Sequence, residues 1–328
     1  MKIKGFITHK LAEEYQDCQD FFAVNEAKKI LAISDGMSQS IFPQWWAELL
    51  VRFYIDKGGL NEKDLEECRT KWMKQVQDFL NEKREKLEPT WMLENCLAEK
   101  RGAGATFCGI QFDNHNWSGQ VLGDSCLIEV SGENQIEKIH RSQDSAFNNH
   151  PDYFDSIQGG KGEAKPINGT LKENGKLLLV TDPFAEFLHA KWQEKQESDY
   201  IEQLRSLDSH EDFCKLVDDW REKGMNNDDS TLVIIEHDGC EDFKLKHVDD
   251  IEELCKKKSS LSTSELADTP LPNNQDEIIS LIEELRSNIE KIIKTLANKK
   301  RNKRKIYYSI KKLIHDKLNL LIQKLKND

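Results

Sequence analysis

At 328 residues and 38% hydrophobic content, the chain has room for one large domain with an appendage and enough apolar side chains for a real core. No run approaches the roughly 18 consecutive apolar residues of a membrane span, and no apolar signal core follows Met1-Lys2-Ile3-Lys4-Gly5, so a soluble protein is expected. The net charge of −12 is uneven: residues 297–328 hold eleven Lys or Arg against two Asp, a net +9, which leaves −21 on residues 1–296 and excludes nucleic acid or anionic lipid as partners of that acidic body. The eight cysteines form no CxxC pair, which argues against structural zinc and for a reducing cytoplasm; several lie in apolar segments, where a thiol behaves as a small hydrophobe.

In chain order, Ile3 to Thr8, Phe21 to Asn25 and Lys29 to Ser34 read as strands. The stretch Ile41 to Val51 has helical apolar spacing, with Pro43 suited to its first turn. Residues 62–98 form a longer helical region, in which Leu65, Cys68, Trp72, Val76 and Phe79 share one face and read as core. Gly102-Ala103-Gly104-Ala105 breaks the helix. Strands follow at Thr106 to Phe112, Gln120 to Leu122, Ser125 to Val130 and Ile136 to His140. The polar segment Arg141 to Gly175 reads as a long surface excursion; its Gly159-Gly160-Lys161-Gly162 follows no apolar strand and is taken as a loop, not a phosphate cradle. Leu177 to Val180 is apolar enough for a central strand, Pro183 opens a helix through Phe184, Phe187 and Leu188, Asp199 to Glu222 is helical, and Thr231 to Glu236 closes a layered sandwich of the α+β kind.

One feature recurs along this order. The apolar segments start or stop on acids: Asp20, Asp35 with Gly36, Asp124, Asp182 and Asp228. Such carboxylates, without a matching set of Lys or Arg beside them, would repel one another unless divalent cations sat between them. Hard Mg2+ or Mn2+ takes oxygen ligands, and two such ions about 4 Å apart could bind a phosphate and activate a water for in-line attack. The nine histidines show no helical metal-binding spacing, although a single one could protonate a leaving group. No nucleophile elbow or Walker-type loop offers a covalent or nucleotide-binding alternative.

Six pieces in order carry a resemblance: Gln19-Asp20-Phe21, Ala32-Ile33-Ser34-Asp35-Gly36-Met37, Gly104-Ala105-Thr106, Leu122-Gly123-Asp124-Ser125, Leu178-Leu179-Val180-Thr181-Asp182 and Asp228-Asp229-Ser230-Thr231-Leu232-Val233. Over about residues 1–240 the chain resembles the metal-dependent type-2C (PPM) Ser/Thr protein phosphatases, as a divergent, bacterial-like member. The resemblance implies a four-layer α/β/β/α sandwich and hydrolysis of phosphoserine or phosphothreonine on proteins. It implies a centre of two or three Mn2+ or Mg2+ ions held by Asp20, Asp35, Asp182 and Asp228 with the Gly36 carbonyl, Asp35 bridging both ions. Asp124 matches a third, weaker position, and Glu186 stands where the family has another acid. A phosphorylated protein, with a cognate Ser/Thr kinase or its targets, is the implied partner.

Departures from the family pattern are Tyr15 in place of its phosphate-binding Arg, Ser38-Gln39 for Gly-Gly, Pro183 for Gly and Asp229 for Asn; a nearby Lys such as Lys10 is then the candidate to hold phosphate. They leave as alternative a weakened, phosphatase-like regulatory or binding module. Residues 241–275 read as a linker and 276–328 as a basic helical hairpin or coiled coil: Ile278, Ile282, Leu285, Ile289, Ile292 and Leu296 form a heptad seam suited to self-association or docking on a protein. The basic run at 299–305 reads as a solvated face, so contact of this tail with nucleic acid or membrane is not expected.

Overall fold

The computed structural model describes residues 1–142, 151–157 and 160–256. The expected linker from residue 257 onward and the helical appendage at 276–328 lie outside the described residues, as do Arg141-to-Gly175 positions 143–150, 158 and 159. The chain divides into two compact units. The first, Met1–Lys10 with Tyr15–Ile251, holds every strand and helix named below; of the second, only Leu11–Glu14 and Glu252–Lys256 are described. Among the described residues, no helix is long and apolar enough to cross a membrane.

Strands β1 (Lys2–Thr8), β2 (Asp20–Asn25) and β3 (Ile30–Asp35) open the first unit, and a short 3-10 turn at Tyr15–Asp17 precedes β2. Helices α1 (Pro43–Lys57), α2 (Glu62–Glu85) and α3 (Trp91–Ala98) follow. Pro43 sits in the first turn of α1, where its missing N–H has no partner to lose. Asn61 and Asp64 form a reciprocal cap on α2. Then come β4 (Gly104–Ala105), β5 (Phe107–Asp113), β6 (Asn116–Leu122), β7 (Cys126–Val130), β8 (Ile136–His140), β9 (Phe154–Asp155), β10 (Lys165–Thr170) and β11 (Lys176–Val180). Helices α4 (Asp182–Gln193), α5 (Glu197–Arg205) and α6 (His210–Glu222) lead to β12 (Ser230–Glu236) and β13 (Lys244–Val248).

Two sheets result, a six-stranded one in the order β13-β1-β12-β11-β7-β8 and a five-stranded one in the order β10-β6-β5-β3-β2, with β4 and β9 pairing separately. Neighbours are antiparallel except β13 on β1. Alternation decides the layers. Leu178, Val180, Leu232 and Ile234 pack with Phe184, Leu188, Phe213 and Trp220 of α4 and α6, on the outer face of the larger sheet. Ile30 and Ala32 pack with Trp46, Leu50, Trp72 and Val76 of α1 and α2, on the outer face of the smaller one. The intervening Leu31, Ile33, Leu177, Leu179, Val233 and Ile235 are just as buried, so each sheet's other face lies against its partner sheet. Gly5 on β1 belongs to that interface: a Cβ there would stand 2.4 Å from the Phe22 ring of β2. The order is helices, sheet, sheet, helices, as expected for the described part.

Three expectations change. The segment 141–175 is not only a surface excursion, because β10 pairs with β6 and Ile167, Leu171 and Phe154 are buried. The stretch read as linker from 241 contains β13, which extends the larger sheet beside β1. On α2 the inward residue after Val76 is Leu80, whereas Phe79 is half-buried and meets Phe42 and Trp45 edge-on.

Candidate active site

The register of β2 on β3 places Asp20 directly opposite Asp35. Cross-strand neighbours point to the same face, and both fall on the face that looks toward the larger sheet. Phe22 and Ile33 hold that face in the interior one step further along, so the apolar pattern of the hairpin fixes where its two acids go. Like charges directly opposite each other are destabilising, so this pair needs a reason.

The larger sheet brings its acids to the same end. Val180 pairs with both Cys126 and Leu232, so β11 ends where β7 and β12 begin, with Asp182, Asp124 and Asp228 just beyond those termini. Thr181 and Thr231 face the smaller sheet from this end: Thr181 Oγ1 and Thr231 Oγ1 donate to Asp20 Oδ2 over 2.9 and 2.8 Å. The Thr231 amide in turn donates to Thr181 Oγ1 at 2.9 Å. These bonds span the sandwich and lock Asp20, which is 1% exposed.

The electrostatics follow from this placement. Burial, then the charge of Asp229, pushes Asp20 up to about 8 against the two threonine bonds. Asp35 is held well above the usual carboxylate range by burial and then by Asp20, Asp182, Asp124 and Asp228. Asp182 is raised likewise by burial, Asp124, Asp228, Asp20 and Glu186. Burial, with Glu186 and Asp228, raises Asp124 to about 6, and burial with Asp228 raises Glu186, one turn along α4 from Asp182. Glu186 also accepts from the Asn226 side-chain amide. Gly36 lies beside Asp35, its N–H donating to the Gln19 carbonyl at 3.1 Å. Asp20, Asp35, Asp124, Asp182, Glu186 and Asp228 thus feel one another's charge at one end of the sandwich, with Gly36 next to Asp35 in the chain.

The expectation of acids without basic neighbours needs correction. Lys10 Nζ stands 2.9 Å from Asp228 Oδ1, 3.6 Å from Asp229 Oδ2, and donates to Ser38 Oγ at 2.9 Å. Asp229 is 2% exposed and works as a clamp: its carboxylate accepts the backbone N–H groups of Lys10 at 2.9 Å and Gln19 at 2.8 Å. Arg221 donates to the carbonyls of Asp228 and His9, fixing the same rim from α6. Tyr15 Oη bonds to His210 Nε2. Thr181, Asp229 and Thr231 lie inside the quoted sequence pieces without being assigned a role there, and Arg221 lies outside them; the strand alternation that puts 181 with 179 and 231 with 233 is the signal that could have found the threonines.

A cation fits the donor set. The acids Asp20, Asp35, Asp124, Asp182, Glu186 and Asp228 offer oxygen ligands, the preference of Mg2+ and Mn2+. Asp20 Oδ1 and Asp124 Oδ1 are buried with no hydrogen-bond partner, which is costly for a carboxylate oxygen without a positive neighbour. As the side chains stand, with Asp20 Oδ2 on the threonines and Asp228 Oδ1 on Lys10, no three His, Cys, Asp or Glu among the described residues form a ready metal-ligating group.

No family model matches the chain, and no curated protein matches it in sequence. Among solved structures it is similar to the photosystem II phosphatase PBCP, at 12% identity and a TM-score of 0.45, covering 73% of this chain and 99% of that one. It is also similar to the serine/threonine phosphatase Stp1 of Staphylococcus aureus, at 12% identity and a TM-score of 0.46, over 72% of this chain and 95% of that one. The serine/threonine phosphatase PstP/Ppp of Mycobacterium tuberculosis is similar at 14% identity and a TM-score of 0.45, over 72% and 98%. At such identities and TM-scores these likenesses assign neither family nor activity.

Proposed function

We propose that this chain hydrolyses phosphate monoesters, with phosphoserine and phosphothreonine of proteins as substrates and Mn2+ or Mg2+ as cofactor. The observation that carries the reading is the gathering of Asp20, Asp35, Asp124, Asp182 and Asp228 from separate segments onto one another, with carboxyl oxygens of Asp20 and Asp124 buried and unpartnered. Buried like charges are expensive, and cations remove that cost. Asp20, Asp35, Asp182, Asp228 and the Gly36 carbonyl would hold two ions, with Asp124 and Glu186 available to a third. Bound there, such ions supply an anchor for phosphate oxygens and make water more acidic.

The protein's own contribution is positional. Thr181 and Thr231 fix the Asp20 carboxylate, so one oxygen is committed to the fold and the other is buried without a hydrogen-bond partner. Lys10 brings an ammonium to the rim, where it can meet a phosphate in the role the resemblance gives to an Arg. A phosphoprotein, and through it a Ser/Thr kinase or that kinase's targets, would be the partner.

Hydrolysis of p-nitrophenyl phosphate and of a phosphoserine peptide is expected to require Mn2+ or Mg2+ and to stop on chelation. In Asp35→Asn it should fall by more than the roughly 10- to 100-fold seen for outer partners of metal sites. Activity indifferent to metal, or retained in Asp35→Asn, overturns the reading. One observation favours the weakened or purely binding module: Lys10 already neutralises Asp228. Metal binding without turnover in the same assay would select that alternative.

A further inference from the structure

A second cluster lies away from these acids, and nothing in the proposed reaction uses it. On α6, His210 and Cys214 stand one turn apart, with Cys214 Sγ 3.3 Å from His210 Nε2. The other ring nitrogen, Nδ1, is 2.8 Å from Asp249 Oδ2, just past β13. Asp249 is itself fixed, its side chain 2% exposed, accepting the Ile7 N–H at 2.9 Å and standing 2.7 Å from His247 Nε2. Tyr15 Oη lies 2.6 Å from His210 Nε2 and 3.8 Å from the sulfur, and Thr8 Oγ1 lies 3.7 Å from the sulfur. Cys, His and Asp therefore stand in line, the arrangement in which an acid orients an imidazole and the imidazole takes a thiol proton.

We propose that Cys214 is a nucleophilic thiolate maintained by His210 and Asp249, and that it is a site of covalent modification by small peroxides. The groups around it agree. Burial alone would lower His210, but its bonds to Asp249 and Cys214 outweigh that and raise it to about 9. Burial alone would raise the Cys214 thiol, but His210, Thr8 and Tyr15 outweigh it and bring the thiol below its ordinary value. By contrast, Cys18, Cys108 and Cys126 are fully buried thiols that burial pushes up. Cys214 is only half-buried, which suits a reagent as small as hydrogen peroxide. In the step, the sulfur attacks one peroxide oxygen, an S–O bond forms and the O–O bond breaks. The leaving hydroxide takes the proton from His210 Nε2, giving a sulfenic acid and water, with sulfur oxidised and peroxide reduced by two electrons.

The test is mass-spectrometric labelling of the native, full-length protein with iodoacetamide at pH 7, read cysteine by cysteine. Cys214 should label about tenfold faster than half-exposed Cys96 and Cys240, because thiolate fraction sets the rate and lower basicity takes back part of the gain. Hydrogen peroxide followed by dimedone should mark Cys214 first. His210→Gln should bring its rate to that of Cys96; if that variant does not fold by circular dichroism, the wild-type pH profile decides, with the Cys214 rate levelling off below about pH 8.5, the ordinary thiol value. A Cys214 no faster than Cys96 and Cys240, a rate that climbs past pH 9, equal labelling in folded His210→Gln, or peroxide marking of Cys96 ahead of Cys214 would overturn the proposal.

Discussion

A methyl group on Gly36 would stand 2.8 Å from the Gln19 carbonyl oxygen and 2.8 Å from Pro43 Cβ. The glycine after Asp35 therefore serves packing as much as turning: it lets the strand carrying the acid pass against both the approach to Asp20 and the start of α1. Neither neighbour can withdraw cheaply, one being backbone and the other a ring in a helical first turn. Gly36→Ala is expected to lose about 1–3 kcal/mol of stability in urea unfolding, the usual cost of overpacking, and to disturb the site with it. At this scale the acids were readable in the sequence, because an apolar run ending on Asp-Gly or Thr-Asp announces a strand terminus. What those acids touch was not readable. Lys10 reaches Asp228 and Asp229 across more than two hundred residues, and no local pattern encodes such a pairing. The His210–Cys214 pair shows its one-turn spacing in the sequence, but Asp249, which gives the pair its chemistry, is contributed from another element.

Among the elements, β11 does most to place the site. All five of its residues are buried, it sits between β12 and β7, and it runs directly into Thr181, Asp182 and α4. Pro183 at the start of α4 costs no intrahelical bond, so it leaves Asp182 at the helix entrance undisturbed. Leu178 faces α4 and α6 at full burial. Leu178→Ala should therefore cost about 2–5 kcal/mol, measured by chemical unfolding. Strands like β11 were legible from unbroken apolar runs. Strands β10 and β13 were not, for a physical reason: both are edges, and Lys165–Thr170 with its Pro and Gly, or Lys244–Val248 with its lysines, must present a polar, unpaired side to water.

For the molecule as a whole, the cluster around His210 ties distant parts of the chain together: α6, the end of β1, the turn at Tyr15 and the residues after β13. His210 rises from 6.5 to about 9 on folding, so the folded state holds its proton more tightly than the unfolded one. The stabilisation is fully present below pH 6.5 and is lost as pH rises through about 9. Cys214 gives up a proton on folding as His210 gains one, so the two contributions oppose each other, and melting temperature measured between about pH 7 and 8.5 should have nearly the same slope in wild type and in His210→Gln. The layered architecture was legible because its helices and central strands have clean periods. The partners across the sandwich were not, since they depend on which ends of which strands coincide.

The pairing of Asp20 with Asp35 ties chemistry to chain length in one short turn. Because side chains alternate, sliding β2 by a single position against β3 would bury a different set of residues and carry one acid to the opposite side of the sheet. The span from Glu26 to Lys29 therefore meters the distance between two carboxylates as well as closing a hairpin. A one-residue insertion within either arm would be read twice, once as a broken interior and once as a dismantled anionic pocket.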